Sequence, residues 1–434
     1  MVGIEIFKLV ETLFPLNRSI AGEGLRSTLY FLKENHVQNM NLLEIPSGTK
    51  VGDWTIPDEW NLDQAYIQTL SGEVIVDTKN SNLHVLNYST PIDGIFSKEE
   101  LDKHLHSMED IRDAVPYVTA YYAPAWGFCI SHEQREAMLD ERYKAVIKSE
   151  LKPGALTIGE LYIPGTSQQE IFISTYVCHP SMANNELSGP SVATFLAKYL
   201  SKRQNRYSIR IVWAPETIGA IAYLSKRKRD LKNNVFAAFN LTCVGDDNNW
   251  SFLPSRKGNT IADKVAKFVL RERGISYEEY SFLKDRGSDE RQYCVPSIDL
   301  PMVSIMRSKY GMYKEYHTSL DNLDFISPRG LEGSYEVHVR CIQVLEENNI
   351  YIAKLAGEPF LSKRGLNYTL VGGQPTNSSL RAKEVLDVFM CCDGQNDLID
   401  ICTLTGLSFD VVRDITDFLA KDDLIVLLGE ACDE

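Results

Sequence analysis

The fold of this chain is decided by one stretch near its middle, Glu170-Ile-Phe-Ile-Ser-Thr-Tyr-Val-Cys-His-Pro-Ser-Met-Ala-Asn-Asn-Glu-Leu-Ser-Gly-Pro190. Its apolar, β-branched first half predicts a buried strand, which ends at His179 because the next residue is a proline and cannot donate to a sheet. A polar loop over 181–186 then leads into a helix, for which Ser188 is a suitable N-cap. A histidine at the carboxyl end of a strand, beside a helix N-terminus, occupies the place where open α/β sheets bind ligands.

Strand and helix patterns alternate on both sides of this stretch. The predicted strands cover 155–163, 170–177, 207–214, 234–244 and 301–307, and the predicted helices cover 187–203, 217–228, 261–273 and 331–347. This alternation predicts an α/β fold with a mostly parallel sheet flanked by helices.

Changes in the length of the apolar runs and in the frequency of turn residues along the chain predict three domains. The α/β core takes 1–44 and 141–362, and a β-rich insert with short apolar runs and frequent turns takes 45–140. Three short helices, with a tight turn before the third and a strand after it, predict a winged helix-turn-helix domain over 366–434.

Composition limits the possible partners and compartments. The 434 residues carry a net charge of -14, which disfavours nucleic acid or anionic membrane as the main partner. The nine cysteines show no repeating spacing, which is typical of reduced thiols in a cytoplasmic protein. Neither a signal peptide nor a membrane span is expected from the sequence.

The predicted winged helix is strongly acidic. From Gly365 to the end there are four basic and thirteen acidic residues, and the expected recognition helix carries Asp410, Asp414 and Asp417. Proteins that bind DNA bring positive charge to the phosphates. The domain is therefore expected to contact protein, as a dimerisation surface or with another partner, and not nucleic acid.

Four segments place polar side chains at the carboxyl ends of predicted strands or just after them. They contribute His179; Glu216; Asp289 and Arg291; and Tyr316, His317 and Asp321. Two histidines and a carboxylate from separate strand ends are typical of a zinc site with an open position, and a further glutamate can accept a proton from water. The alternative is structural: Glu216 and Asp289 could cap helices, and Asp321 could serve a turn.

The segment His317-Thr-Ser-Leu-Asp-Asn-Leu-Asp-Phe-Ile326 resembles the last metal-ligand segment of zinc aminopeptidases of the bacterial leucyl aminopeptidase type. Asn185-Glu-Leu-Ser-Gly189 is similar to their segment with the metal-bridging aspartate, and Glu216 matches their catalytic glutamate. More closely, the whole chain resembles a bacterial family of aminopeptidase-like proteins with a β-rich insert and a C-terminal winged helix, often encoded near surface-polysaccharide genes. The long matches are 16–24, 53–60, 126–129, 178–181 and 287–294.

The resemblance has departures that bear on the metal. Asn185 stands at the bridging aspartate, Thr217 and Thr242 stand where two further carboxylate ligands are expected, and Ser181 replaces the aspartate that orients the first histidine. Two divalent ions need several carboxylates. The resemblance therefore implies one zinc per chain, held by His179, Glu186 and His317. A site without metal stays open as the alternative.

Two functions follow from these patterns. The first is a zinc-dependent hydrolase of an amide in a small peptide or N-acyl conjugate, which the gene neighbourhood of the resembling family associates with surface-polysaccharide biosynthesis. In it Glu216 activates water and the substrate contacts are Asp289, Arg291, Tyr316 and Trp126, with Tyr121 and Tyr122 also shaping access. The second is a non-catalytic scaffold or sensor with a degenerate metal site and a protein-binding winged helix.

Overall fold

The computed structural model describes residues 1–366, 370–371, 374–375 and 380–428. The chain divides into two compact units, one formed by 1–266 with 275–339 and the other by 267–274 with 340–434. Within the described ranges, no helix combines the length and the apolar character that a membrane crossing requires.

The α-helices lie mainly in the core and the C-terminal domain. They are α1 (Val2–Leu13), α2 (Glu23–Asn35), α3 (Lys98–Asp102), α4 (His132–Glu136), α5 (Ser188–Leu200), α6 (Ile218–Asn234), α7 (Ile261–Glu272), α8 (Phe282–Asp285), α9 (Glu290–Tyr293), α10 (Pro328–Glu347), α11 (Leu380–Cys391), α12 (Leu398–Thr405) and α13 (Phe409–Lys421).

The strands form one large sheet and several smaller ones. They are β1 (Asn41–Pro46), β2 (Lys50–Val51), β3 (Trp54–Thr55), β4 (Glu59–Thr69), β5 (Val74–Asp77), β6 (Ile92–Ser97), β7 (Leu105–His106), β8 (Phe128–Cys129), β9 (Arg142–Lys152), β10 (Ala155–Ile163), β11 (Ser167–Tyr176), β12 (Tyr207–Ala214), β13 (Val235–Leu241), β14 (Ser251–Leu253), β15 (Glu278–Glu279), β16 (Met302–Met306), β17 (Ile350–Ala353), β18 (Leu370–Val371), β19 (Gln374–Pro375), β20 (Asp393–Asp397) and β21 (Ile425–Leu427).

The large sheet has the order β1-β10-β12-β11-β13-β16-β14-β15. Its four central strands, β12, β11, β13 and β16, are parallel, whereas β10 runs antiparallel to both β1 and β12, and β14 runs antiparallel to β16. The predicted α/β class is confirmed, and the sheet is more mixed than expected. Strands β12 and β16 are buried throughout, β13 is buried at all residues but Phe236, and β11 is buried from Glu170 onward, which explains the continuous apolar runs over which the sequence predicted these strands.

A buried ion cluster crosses the middle of this sheet. Arg210 on β12 donates from Nε and Nη2 to the two carboxylate oxygens of Glu170, at 2.6 and 2.9 Å, and from Nη1 to Glu160 at 2.8 Å. Because both carboxylates are also buried, each charge in the cluster depends on its partners.

The insert has its own antiparallel sheet in the order β5-β4-β9-β6. Strand β9 extends to residue 152, so the predicted end of the insert at residue 140 is too early. The predicted start at residue 45 also cuts through β1, which belongs to the large sheet. Both boundaries were missed because short strands in turn-rich sequence do not show which sheet they join.

The junction between the insert and the core is short. Strand β9 ends at Lys152 and β10 begins at Ala155, so only Pro153 and Gly154 separate the two sheets. Ser47 brackets this turn: its N–H donates to Gly154 O at 2.9 Å, and its Oγ accepts from Gly154 N at 3.0 Å. The Ala155 N–H donates to a carboxylate oxygen of Glu59 at 2.8 Å.

The C-terminal domain combines α11, α12 and α13 with a sheet in the order β20-β17-β21. Because β17 covers 350–353, the domain begins before the predicted boundary at 366, and parts of the range 366–434 lie outside the described residues. Helix α12 ends at Gly406, which has a φ of 73° that suits glycine. On α13 the three aspartates at 410, 414 and 417 are exposed, and Arg413 pairs with Glu347 at 3.0 Å.

Candidate active site

His179 and Glu216 meet at the carboxyl edge of the large sheet. His179 follows β11 and Glu216 follows β12, which is its parallel neighbour. The Nε2 atom of His179 lies 3.7 Å from Oε2 of Glu216. His317, in the long segment after β16, brings its ring to 5.4 Å from the ring of His179, measured between centroids. The structure therefore brings together the two predicted histidines and the predicted base.

A buried carboxylate contacts the Nδ1 atom of His179. This atom lies 2.8 Å from Oε2 of Glu186, whose side chain is fully buried. Arg18 is also fully buried; its Nε donates to the carbonyl oxygen of His179 at 3.0 Å and lies 4.0 Å from Glu186 Oε1. A carboxylate on Nδ1 fixes a histidine with Nε2 free, which is the usual arrangement around a metal-ligating histidine. Glu186 thus contacts His179 through Nδ1, the ring nitrogen that does not face Glu216, while its other carboxylate oxygen is buried and has no hydrogen-bond partner among the described residues. Its predicted role as a metal ligand stays a prediction.

The segment that carries Glu186 is a single π-helical turn, Ala183–Leu187, and not the predicted loop. Its first backbone N–H groups are buried and are satisfied by Asp321, whose carboxylate accepts from Ala183, Asn184 and Asn185 at 3.1, 2.6 and 2.8 Å. The π-helical turn leads directly into α5, so Ser188 lies within continuous helix and is not the N-cap that the sequence predicted. Such turns are frequent at functional sites, and this one directs Glu186 towards His179.

His317 is a neutral imidazole among aromatic rings. Tyr316 stacks on it at 3.9 Å between centroids, and Tyr117 meets it edge-on at 5.3 Å. Burial and the neighbouring His179 lower the pKa of His317 to about 3. The neutral form is the one that binds metals. Tyr316 thus helps to position His317, and its predicted contact with substrate stays a prediction.

A second metal ion would need carboxylate ligands, but the side chains on that side of the site are uncharged. Asn185 donates from Nδ2 to the Tyr176 hydroxyl at 2.7 Å, and that hydroxyl lies 2.6 Å from Thr242 Oγ1. Asn185 Oδ1 is buried and has no hydrogen-bond partner among the described residues. Since neutral side chains cannot balance the charge of two divalent ions, these donors fit one metal ion at most.

A closer group of donors is a poorer candidate for metal binding. Cys178, His179 and Glu186 all have donor atoms within 4.8 Å of one another. However, His179 Nδ1 is already bonded to Glu186, and it lies 3.3 Å from Cys178 Sγ. Burial, with the charges of Glu186 and Glu216, raises the pKa of the Cys178 thiol well above its ordinary value.

A cavity of about 270 Å³ opens in front of His179 and Glu216. The insert contributes Trp54, Tyr121 and Tyr122 to its walls, as Tyr121 and Tyr122 were expected to do. Trp126, the predicted substrate contact, lies elsewhere in the insert. It stacks on His104 and packs against Phe96, and it is half-buried there.

Asp289 and Arg291 have different positions relative to this cavity. Asp289 is fully buried outside it and accepts the Thr217 N–H at 2.7 Å, which is a structural role in place of the predicted substrate contact. Burial and the charge of Glu216 raise the pKa of Asp289 well above its ordinary value. Arg291 lines the cavity and donates from Nη2 to Thr217 Oγ1 at 2.7 Å.

Glu216 does not act as a helix cap. The residue at the N-cap of α6 is Thr217, and no side-chain capping bond is present there. Burial raises the pKa of the Glu216 carboxyl, against the opposing effects of His179 and Arg291. A carboxylate that faces a cavity with a raised pKa is suited to exchange protons near neutral pH.

The backbone around the site adopts an unusual conformation at several residues with side chains. Left-handed φ angles occur at Ser181 (43°), Thr217 (63°), Cys243 (52°) and His317 (56°). Such conformations cost roughly 1–3 kcal/mol each in non-glycine residues and concentrate at functional sites. The rest of the core must hold these residues in place.

Two contributors to the site were not identified from the sequence. Arg18 and Trp54 both lie in stretches that match the aminopeptidase-like family, 16–24 and 53–60, but no chemistry was assigned to them.

We expect Glu186→Gln to weaken zinc binding by about 10- to 100-fold without abolishing it, because loss of a partner that orients a ligand has effects of that size. Glutamine can still accept the Nδ1 proton of His179. Zinc affinity measured by competition with a chelator tests this, with Glu99→Gln on the surface of α3 as the control. Complete loss of zinc from Glu186→Gln would show that Glu186 is itself a ligand.

Comparison with known proteins agrees with this architecture. Residues 7–348 match a family described as a domain of unknown function (DUF4910), and residues 350–427 match a winged helix-turn-helix family. A protein of Clostridium acetobutylicum, named as a candidate polysaccharide biosynthesis protein with an aminopeptidase-like domain, is 40% identical over 427 residues, which cover 98% of this chain and 97% of the relative.

Solved structures show the same fold. A crystal structure of a candidate peptidase from C. acetobutylicum has a TM-score of 0.91 at 38% identity and covers 98% of this chain and 96% of its own. A zinc aminopeptidase from Bacillus subtilis has a TM-score of 0.57 at 13% identity, covering 79% of this chain and 94% of its own. At that identity the likeness concerns the fold alone. The chain thus belongs to the DUF4910 family, with an aminopeptidase-like fold and a C-terminal winged helix-turn-helix domain.

Proposed function

We propose that this protein is a metal-dependent amide hydrolase with a single zinc site, in which Glu216 is the general base. The observation that carries the proposal is the geometry of His179. Glu186 holds its Nδ1 atom at 2.8 Å, and its free Nε2 atom faces the Glu216 carboxylate at 3.7 Å beside the cavity. A potential metal ligand, His179, and a potential base, Glu216, therefore face the same cavity.

The residues that would hold zinc are His179, through Nε2, and His317. The third donor that we propose is Asn185 Oδ1, the buried oxygen that has no partner in the described part of the chain. An amide oxygen is a weaker zinc ligand than a carboxylate or an imidazole, so we expect a lower affinity than in sites with three such donors.

In the reaction that we propose, Glu216 accepts a proton from the attacking water and returns it to the leaving amine. Lewis-acid polarisation of the amide carbonyl is the chemistry that a bound zinc supplies. The aromatic residues Trp54, Tyr121 and Tyr122 enclose the substrate and limit access of bulk water. The substrate class is the amide of a small peptide or of an N-acyl conjugate, and the name of the C. acetobutylicum relative favours a conjugate used in polysaccharide biosynthesis.

A non-catalytic, ligand-binding role is the second candidate. It is favoured by the neutral side chains at Asn185, Thr217 and Thr242, which reduce the charge available to a metal. In this alternative the winged helix contacts a partner protein, and we propose such a contact under either function because the exposed face of α13 is acidic.

The two candidates differ in metal content. We expect about one zinc per chain after purification under metal-replete conditions, together with hydrolysis of amide substrates that a chelator abolishes. Elemental analysis of the purified full-length chain, followed by an assay with a panel of N-acyl amino acids and short peptides, tests this. Absence of bound zinc in protein that still binds a ligand would favour the non-catalytic role.

A further inference from the structure

Arg291 occupies the active-site cavity without an acidic partner. Its Nη2 atom donates to Thr217 Oγ1, while its Nε atom is buried and has no hydrogen-bond partner among the residues that the structure describes. No carboxylate of those residues lies within the 4.0 Å of an ion pair with its guanidinium. Glu216 and Asp289 interact with its charge only at longer range, so its guanidinium faces the cavity without a direct ion pair.

Two other buried arginines of the same unit have acidic partners nearby. Arg210 makes a two-pronged contact with Glu170 and a further bond to Glu160. Arg18 lies 4.0 Å from the buried carboxylate of Glu186. Partial burial of a cation without a counterion is costly, and a ligand that supplies the missing anion recovers that cost.

The charge of the residues that line the cavity also favours an anionic ligand. Glu216 and Arg291 are its oppositely charged lining residues, alongside His179. If zinc binds as in the proposed function, the cavity acquires a net positive charge. A substrate whose nearest charge is a free ammonium group would then be repelled, whereas an anionic substrate would be attracted.

We infer that Arg291 is a specificity-determining residue that binds a carboxylate of the substrate, so that the preferred amide belongs to an acidic N-acyl conjugate and not to a peptide with a free amino terminus. The inference rests on the proposed function for the identity of the scissile bond, but not for the binding of the carboxylate. The planar guanidinium of arginine, with several donors on one edge, suits a carboxylate in this position. The aromatic walls formed by Trp54, Tyr121 and Tyr122 suit a planar group attached to it.

A pair of nearly isosteric probes tests this inference. Hippurate and hippuramide share a benzoyl group and an amide, and they differ in that one ends in a carboxylate and the other in a neutral amide. Their binding to the full-length Glu216→Gln protein, in which hydrolysis is suppressed, is measured by calorimetry at matched zinc content. We expect hippurate to bind about 10- to 100-fold more tightly, as for a hydrogen-bonded charge pair.

The same measurement is then made after substitution of Arg291. Arg291→Gln is expected to remove the preference for hippurate, and Arg291→Lys is expected to keep part of it, because the charge remains and the planar fork is lost. Arg329→Gln is the control, since the Arg329 side chain is 84% exposed and should leave the preference unchanged. If Arg291→Gln does not fold, as judged by its melting temperature, the lysine variant decides.

Two results would overturn the inference. One is equal binding of the two probes, or binding of neither, by protein that retains Arg291. The other is a preference for hippurate that survives in Arg291→Gln, or one that is undiminished in Arg291→Lys. Failure of the proposed function would be seen separately, as absence of amide hydrolysis by the parent protein, because the binding measurement does not involve turnover.

Discussion

Glu216→Gln is expected to lower the turnover of an amide substrate by about 10²- to 10⁴-fold while the zinc content stays close to that of the parent. Glutamine keeps the size of the side chain and its ability to accept a hydrogen bond, but it cannot take a proton from water at neutral pH. Because Glu216 makes no capping bond to α6, its replacement should cost little stability. The measurement is turnover per zinc-loaded chain, with the melting temperature recorded for both proteins.

The control for this substitution is Glu99→Gln, which removes one exposed carboxylate from α3 of the insert and should leave turnover unchanged. Turnover of Glu216→Gln within a few-fold of the parent, at equal zinc content, would contradict the role of Glu216 as the base. A large loss of zinc in the same variant would instead place Glu216 among the metal ligands.

His179→Ala and His317→Ala are each expected to reduce bound zinc from about one per chain to almost none. Each substitution removes one of two imidazoles, and the remaining donors that we propose are a single imidazole and an amide oxygen, which is too weak a set for zinc. Elemental analysis after purification under identical metal-replete conditions measures the effect. Turnover should fall together with the metal.

His36→Ala is the matched control, because His36 packs between Phe31 and Phe195 and its ring makes no contact with the site. Its zinc content should equal that of the parent. Retention of a full equivalent of zinc by either His179→Ala or His317→Ala would show that the metal lies elsewhere. Two equivalents in the parent would contradict the single-metal site.

The sequence was most informative where a strand is buried on both faces. The predicted range of β12, 207–214, agrees with the structure at both ends, and that of β10, 155–163, does as well. Such strands leave long apolar runs between polar turns. Strand β14 was missed because three residues show no periodicity, and the predicted insert boundary cut through β1 because pairing partners are not encoded locally.

The candidate site could be predicted in part for a similar reason. Parallel neighbours end at the same edge of a sheet, so the approach of His179 and Glu216 follows from topology. The role of Glu186 does not, because it depends on a π-helical turn whose geometry is set by Asp321, a residue far along the chain. Likewise, Trp54 and not Trp126 lines the cavity because Trp126 packs against His104 and Phe96 of the insert, and such contacts cannot be predicted from the local sequence.

The two-residue junction between β9 and β10 has a consequence for how substrates are admitted. At this one of its two connections, only Pro153 and Gly154 join the insert to the large sheet, and Ser47 and Glu59 form hydrogen bonds across the turn. A hinge requires residues that are free to change their backbone angles, and this turn provides few. Under the function that we propose, we therefore expect the aromatic wall to form a fixed opening, whose size, together with the charge of Arg291, selects among substrates without closure of a lid.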